Sequence, residues 1–330
     1  MKLLVLGGTV FLGRHIVTEA LRLGHEVTIF NRGQSNPDLF SGEVEKILGD
    51  RETDLSRLKG LKFDACIDPS GFLPGPVGEA VKVLSDSLQT YVFISSISVY
   101  PKFTRDMDES GALSELAEDA DPTIFRQQDY GALKVLCEAA AETNMPGRVL
   151  HVRSGLIVGP YDPTNRFTYW PVRVSQGGDL LVPSKPDLPV QFIDARDQAI
   201  WILHMLEKKQ TGTYNVTSDW QEHTLSDLLE SSARLTGADI NPIWVDSDFL
   251  TEQKIAPWMG LPLWLPDRMI NMSRVSVTKA VAAGLKFRAL DATINDTLAW
   301  YRSIPEQDWP AGISREKERE VLENWRHRIS

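Results

Sequence analysis

Tyr130 and Lys134 stand four residues apart in YGALK, within a segment (129–143) whose apolar spacing predicts a helix. Positions i and i+4 share one helical face, so a phenol and an ammonium can converge there. A free tyrosine, with a pKa of about 10, is a poor base near neutral pH. A neighbouring ammonium favours the phenolate, which predicts a lowered pKa and proton exchange with a substrate oxygen. Ser95 and Ser96 follow an apolar run in FISSISVY, 93–100. A hydroxyl at the carboxyl end of a buried strand lies where open α/β sheets bind ligands, and it can donate to an oxygen that gains negative charge. Taken alone, YxxxK is also a common pattern of exposed helical pairs, and serines after a strand are a common turn.

Elements able to position these groups are legible upstream. Leu3–Leu6 is a short apolar run, as expected of a strand covered on both faces of a parallel sheet. The turn Gly7, Gly8, Thr9, Val10, Phe11, Leu12, Gly13 follows, then an amphipathic helix and a second strand, Val27–Phe30. Gly7 and Gly8 allow a sharp turn and a close backbone approach, and Gly13 lets the helix pack on the strand. The helix N-terminus then presents N–H groups and a positive dipole end to a pyrophosphate. Val10 stands where GxxGxxG would place a glycine, so the space above the pyrophosphate is expected to be narrower.

Strand patterns recur at 44–48, 63–68, 89–95 and 148–153, with helices near 77–84 and 129–143 between them. That alternation predicts a doubly wound, parallel α/β sheet of Rossmann type. Residues 1–158 are expected to form the dinucleotide-binding domain. Residues 159–330, rich in proline and tryptophan, are expected to be mainly a smaller substrate lobe of pocket-lining loops, with sheet elements near 190–220 returning to the first domain. Residues 102–125 are acidic and irregular and read as a surface excursion; 314–328 reads as a charged docking helix.

At 330 residues with a net charge of −10, the chain lacks the basic balance of a sequence-independent nucleic-acid binder. Two cysteines, Cys66 and Cys137, sit in apolar contexts, and six histidines are scattered without ligand spacing, so neither a disulfide framework nor a metal is expected. The opening apolar stretch is too short for a signal peptide or a membrane span, which makes a cytoplasmic location the expectation.

Together GGTVFLG (7–13), FISSISVY (93–100), YGALK (130–134) and VRSGLIVGP (152–160) resemble the short-chain dehydrogenase/reductase superfamily. The likeness is to its extended and atypical branch, with the NAD-dependent epimerase/dehydratases, over roughly residues 1–220. The resemblance implies that Ser96, with Ser95 as fallback, holds the substrate oxygen and that Tyr130 transfers the proton. It implies that Lys134 binds nicotinamide ribose and lowers the tyrosine pKa. It also implies that Asp50 and Arg51 contact adenine and that Asp68 to Gly71, Ser70 included, lie beside the cofactor. Asn31-Arg32 ends the second strand in place of an acidic residue, so NADP is favoured over NAD. Arg166 is a candidate clamp for an anionic substrate group, with Phe167, Tyr169 and Trp170 around it; Gln191 and Arg196 are further candidate contacts. Members of the family pair through the helices flanking this tyrosine, which makes a homodimer an expectation too, although this helix shows no extra apolar face. Two other activities fit atypical members: a non-catalytic, cofactor-binding regulator, and an RNA binder, since GGTxFxG is similar to the chloroplast stem-loop-binding proteins.

Overall fold

The computed structural model describes residues 1–305 and 309–329. The apolar opening run forms β1 (Lys2–Leu6), followed by α1 (Phe11–Arg22) and β2 (Glu26–Asn31). Next come β3 (Glu45–Leu48), β4 (Ala65–Asp68), α2 (Pro74–Leu84), β5 (Thr90–Ser96), α3 (Tyr130–Asn144) and β6 (Val149–Ser154). The middle of the chain adds β7 (Leu156–Val158), α4 (Tyr169–Ser175), β8 (Gly178–Pro183), β9 (Phe192–Asp194), α5 (Ala195–Glu207) and β10 (Gly212–Val216). The remainder holds α6 (Leu225–Thr236), β11 (Ile240–Val245), α7 (Ser247–Glu252), α8 (Thr278–Ala282), α9 (Leu290–Ser303) and α10 (Arg315–Ile329).

Among the described residues, seven strands form one sheet in the order β10-β6-β5-β4-β1-β2-β3, every neighbouring pair parallel. β5 and β6 are buried along their whole length, as continuous apolar runs require when helices cover both faces. Side chains alternate across the sheet with period two. Leu3, Val5, Ile67 and Val92 pack with Ile16 of α1 and Ile202 of α5. Leu4, Leu6, Cys66 and Phe93 face Val81 of α2 and Cys137 of α3. Helices on both faces of a parallel sheet make this a doubly wound α/β fold. Both cysteines are buried and free.

A second apolar core unites α4, α6, α9 and α10 around Trp170, Leu228, Ile294 and Leu322, with the parallel pair β8–β11 against it. Here the structure corrects two expectations. Leu180–Pro183, read as loop, belongs to β8, because its Leu180, Leu181 and Val182 are buried against that core. Phe192–Asp194 is a strand but pairs with β7 alone; the strand that extends the main sheet is β10, on β6. The acidic excursion is pinned at its base, where Ser276 N–H donates to the Met107 carbonyl at 2.8 Å and Asp106 N–H to Arg274 at 2.9 Å.

Candidate active site

At the end of β1, Gly7 (φ +115°) and Gly8 (φ +91°) take backbone angles that side-chain-bearing residues rarely adopt. A Cβ on Gly13 would lie 3.0 Å from the Gly8 nitrogen, so glycine is what lets α1 reach the strand. Val10 is the N-cap of α1 with φ −126° and is 46% exposed. That extended geometry suits any residue, so the turn does not require a third glycine. No side chain caps α1 and its first turn holds no acid. Its leading N–H groups therefore lack the partners that a cap would supply. Leu12 packs inward and Thr9 is buried, its carbonyl accepting from Asn36 Nδ2 at 2.8 Å. Asn31 ties β2 to the turn, donating through Nδ2 to the Gly7 carbonyl at 2.9 Å and accepting Gly33 N–H. Arg32 beside it is exposed. A glycine cradle under an uncapped helix N-terminus fits a dinucleotide pyrophosphate.

Across the sheet, Asp68 is fully buried and grips Arg51 through two hydrogen bonds of 2.9 Å, while Tyr91 donates to it at 2.7 Å. Burial opposes its charge, but Arg51 and these donors hold the carboxyl below the usual carboxylate range. The Asp68 carboxylate is thus fully engaged inside the protein, as the anchor of Arg51 and Tyr91. Ser70 Oγ donates to the Leu6 carbonyl at 2.9 Å, welding the ends of β4 and β1. Asp50 accepts Glu52 N–H and shapes the turn after β3. Arg51 also borders a groove of 360 Å³ between Leu73, Pro76 and Glu79 of the α2 region and Pro122 of the excursion.

Ser96 ends β5, and its Oγ accepts Ser98 N–H at 3.1 Å. Its hydroxyl donates to Ser98 Oγ at 3.1 Å, and Ser96 lies near enough to the Tyr130 phenol to favour its charged form. The fallback Ser95 is excluded, because it points the other way along the pleat and donates to Glu138 at 2.6 Å, within a buried Glu138–Arg153 ion pair. Lys134 is buried and donates to the carbonyls of Gly71 at 2.7 Å and Ile94 at 2.8 Å, with the rings of Phe93 and Phe72 about it. Burial draws its pKa down to about 8. One expectation fails here. Tyr130 is raised above its ordinary value by burial, and the groups that pull it back are Ser96 and then Arg166, not Lys134.

The substrate candidates divide. Arg166 lies close enough to Tyr130 for their charges to interact. Trp170 is fully buried and its indole N–H donates to the Pro262 carbonyl at 2.7 Å, so it is core. Gln191 is buried, donating to the Ser218 and Val275 carbonyls and accepting Val275 N–H, and has no group left to meet a substrate. Arg196 is paired with Asp194 and Asp296. Sequence reasoning missed Gly131, where a Cβ would collide with the Ser98 carbonyl oxygen. Only glycine lets α3 settle there and bring Tyr130 to Ser96, and a glycine inside a helical pattern was the available signal. It also missed Phe72 and Phe125, whose rings stand 6.4 and 6.3 Å from that of Tyr130.

Residues 79–217 match the NAD dependent epimerase/dehydratase family. The resemblance to the extended short-chain dehydrogenase/reductases is borne out. Among solved structures, UDP-N-acetylglucosamine 4-epimerase from Bacillus cereus superposes with a TM-score of 0.64 at 18% identity, covering 94% of this chain and 99% of that one. UDP-glucuronic acid 4-epimerase from Bacillus cereus, in complex with NAD, gives 0.66 at 16% identity, over 93% and 98%. At such identities the likeness shows the fold. The chloroplast stem-loop binding protein of 41 kDa b from Arabidopsis thaliana is 26% identical over 258 residues, 72% of this chain. The matched region spans 63% of that relative's length. No helix among the described residues is long and apolar enough to cross a membrane.

Proposed function

We propose that this protein is an NAD(P)-dependent oxidoreductase or epimerase/dehydratase acting on a small hydroxyl- or carbonyl-bearing substrate. The observation that carries it is the close seating of α3 on the turn after β5, at Gly131 and Ser98, which brings Tyr130 beside the carboxyl end of β5 and Ser96, with the buried Lys134 ammonium 5.9 Å from the Tyr130 ring. Gly7, Gly8 and the N–H groups at the start of α1 would hold the pyrophosphate, and Lys134 has one N–H left for a ribose hydroxyl. A bound nicotinamide supplies or accepts hydride. Ser96 donates to the substrate oxygen, and Tyr130 passes a proton to or from it. The aromatic rim of Phe72 and Phe125 excludes water from that oxygen, which strengthens both interactions. Tyr130→Phe is expected to lower kcat by about 10²–10⁴, the usual scale of a lost general acid–base, with cofactor affinity unchanged. Unchanged turnover would remove Tyr130 from the reaction.

NADP is the favoured cofactor, because β2 ends in Asn31 and exposed Arg32 with no carboxylate to repel a 2′-phosphate. Fluorescence titration with NADPH and NADH tests this: the expected result is tighter NADPH binding, with the preference lost in Arg32→Ala. Equal affinities would return the assignment to NAD. A homodimer through α3 is checked by sedimentation.

The Arabidopsis relative favours a second activity, binding of a structured RNA. A net charge of −10 opposes it, since phosphate neutralisation needs clustered cations. A gel-shift series with stem-loop RNA at two salt concentrations decides between them; tight, salt-sensitive binding would favour the RNA.

A further inference from the structure

The segment after β7 folds back on itself in a short relay. Asp162 has no exposed surface, and its carboxylate accepts Thr164 N–H at 2.8 Å and the Thr164 hydroxyl at 2.7 Å. Thr164 Oγ1 in turn accepts Arg166 Nε–H at 3.1 Å. The relay fixes the half-buried Arg166 near Tyr130, with its guanidinium 5.6 Å from the centre of the Trp258 ring. The four N–H groups of its two terminal nitrogens have no acceptor among the described residues. None of the described acids comes within ion-pair distance of it either. Asp162 is the nearby acid, but burial pushes its carboxyl above the usual carboxylate range and weakens it as a counter-charge. Burial works against the guanidinium charge as well.

A half-buried cation held by its Nε alone leaves its fork open to a ligand that brings two acceptors. Other buried arginines here have theirs: Arg51 has Asp68, Arg153 has Glu138, and Arg173 has Glu318. Arg166 departs from that pattern, and it does so beside Tyr130. The planar fork matches two oxygens of a carboxylate or phosphate, and Trp258 stacks behind it.

We propose that Arg166, backed by Trp258, is an oxyanion-binding subsite, so that the substrate carries a carboxylate or phosphate a few atoms from the oxygen that faces Tyr130. The statement about the substrate rests on the proposed role of Tyr130; the anion site itself does not. An occupied site also has an electrostatic consequence. An anion on Arg166 cancels the positive field on the phenol, so Tyr130 titrates at higher pH with the anion bound than without it.

The test is calorimetric titration of the full chain with inorganic phosphate and, separately, acetate, in the wild type, Arg166→Gln, Arg166→Lys and the surface control Arg57→Gln. The expected result is saturable binding of one anion in the wild type and in Arg57→Gln, weakened at least tenfold in Arg166→Gln and partly restored in Arg166→Lys. Which anion binds more tightly identifies the substrate group. Ultraviolet titration of the tyrosines, with Tyr130→Phe for assignment, should show the Tyr130 midpoint rising with the anion in the wild type and not in Arg166→Gln. Equal binding in Arg166→Gln, or no saturable binding in the wild type, overturns the proposal; a lower Tm for Arg166→Gln with unchanged anion binding would make Arg166 a support for Trp258. NADPH and NADH titrations of the same proteins separate the two ideas. Arg166-dependent anion binding without any nicotinamide binding would keep the subsite and remove the proposed function.

Discussion

Two cations stand near Tyr130: Arg166, whose charge favours the phenolate, and Lys134, whose ammonium lies 5.9 Å from the phenol ring but is turned to two backbone carbonyls and kept nearly dry. Lys134 therefore serves as a donor whose charge is marginal, with a pKa of about 8. If its ammonium also holds the cofactor ribose, the affinity of the free protein for NADPH must follow that proton. The proton is present below about pH 8 and lost above it, so affinity is expected to be level on the acid side and to weaken by up to tenfold per unit on the alkaline side. Lys134→Met should bind more weakly and show no such limb. A wild-type profile flat to pH 10 would detach Lys134 from the cofactor. The Arg51–Asp68 pair is a different case, in which both partners are fully engaged. Arg51→Leu strands the Asp68 charge in the core and is expected to cost ~3–5 kcal/mol in urea unfolding, part of it recovered by adding Asp68→Asn.

At the level of elements, the site exists because α3 can touch the turn after β5, and Gly131 is the residue that permits it. Gly131→Ala is expected to push α3 off the Ser98 carbonyl, costing about 1–3 kcal/mol of stability and at least about tenfold in turnover. Gly78 in the neighbouring helix α2 has only ordinary contacts around a new Cβ. Gly78→Ala should therefore raise stability by ~0.5–1 kcal/mol, the entropy of a helical glycine. Equal effects at the two positions would show that helix propensity, not contact with the turn, governs Gly131. The same contrast explains what was legible in the sequence. β1, β4, β5 and β6 were readable because a strand buried on both faces is a run of apolar residues whatever its partners are. β8 and β11 were not, since their pairing joins positions some sixty residues apart and β11 carries Asn241 and Pro242 within it. Tyr130, Lys134 and Ser96 were readable from their spacing. The assignment of Trp170 and Gln191 to the core was not, because only a distant carbonyl, on Pro262 or Val275, reveals that their polar atoms are satisfied internally.

At the scale of the whole molecule, a buried carboxylate, Asp194, joins the two halves. Asp194 caps α5, which packs on α1 against the main sheet, and chelates Arg196 through hydrogen bonds of 2.9 and 2.7 Å. It also accepts the Thr293 hydroxyl at 2.9 Å, from α9 of the second core, and lies 3.5 Å from Arg288. Arg196 reaches on to Asp296 of α9. Removing Asp194 takes away the cap of α5, the acceptor of Thr293 and the carboxylate between two arginines, while Arg196 keeps Asp296 and Arg288 keeps Asp197, so Asp194→Ala is expected to cost ~1–3 kcal/mol. It should also separate what the wild type keeps cooperative. The wild type is expected to unfold in a single thermal transition, and the variant in two. Only the transition of the sheet domain should then respond to cofactor, rising by about 2.7 kcal/mol at a hundredfold excess over Kd. Differential scanning calorimetry with and without NADPH distinguishes the outcomes. A single transition in Asp194→Ala, displaced as a whole by cofactor, would mean that the excursion's contacts with residues 274–276 suffice to couple the lobes, and that Asp194 serves α5 alone.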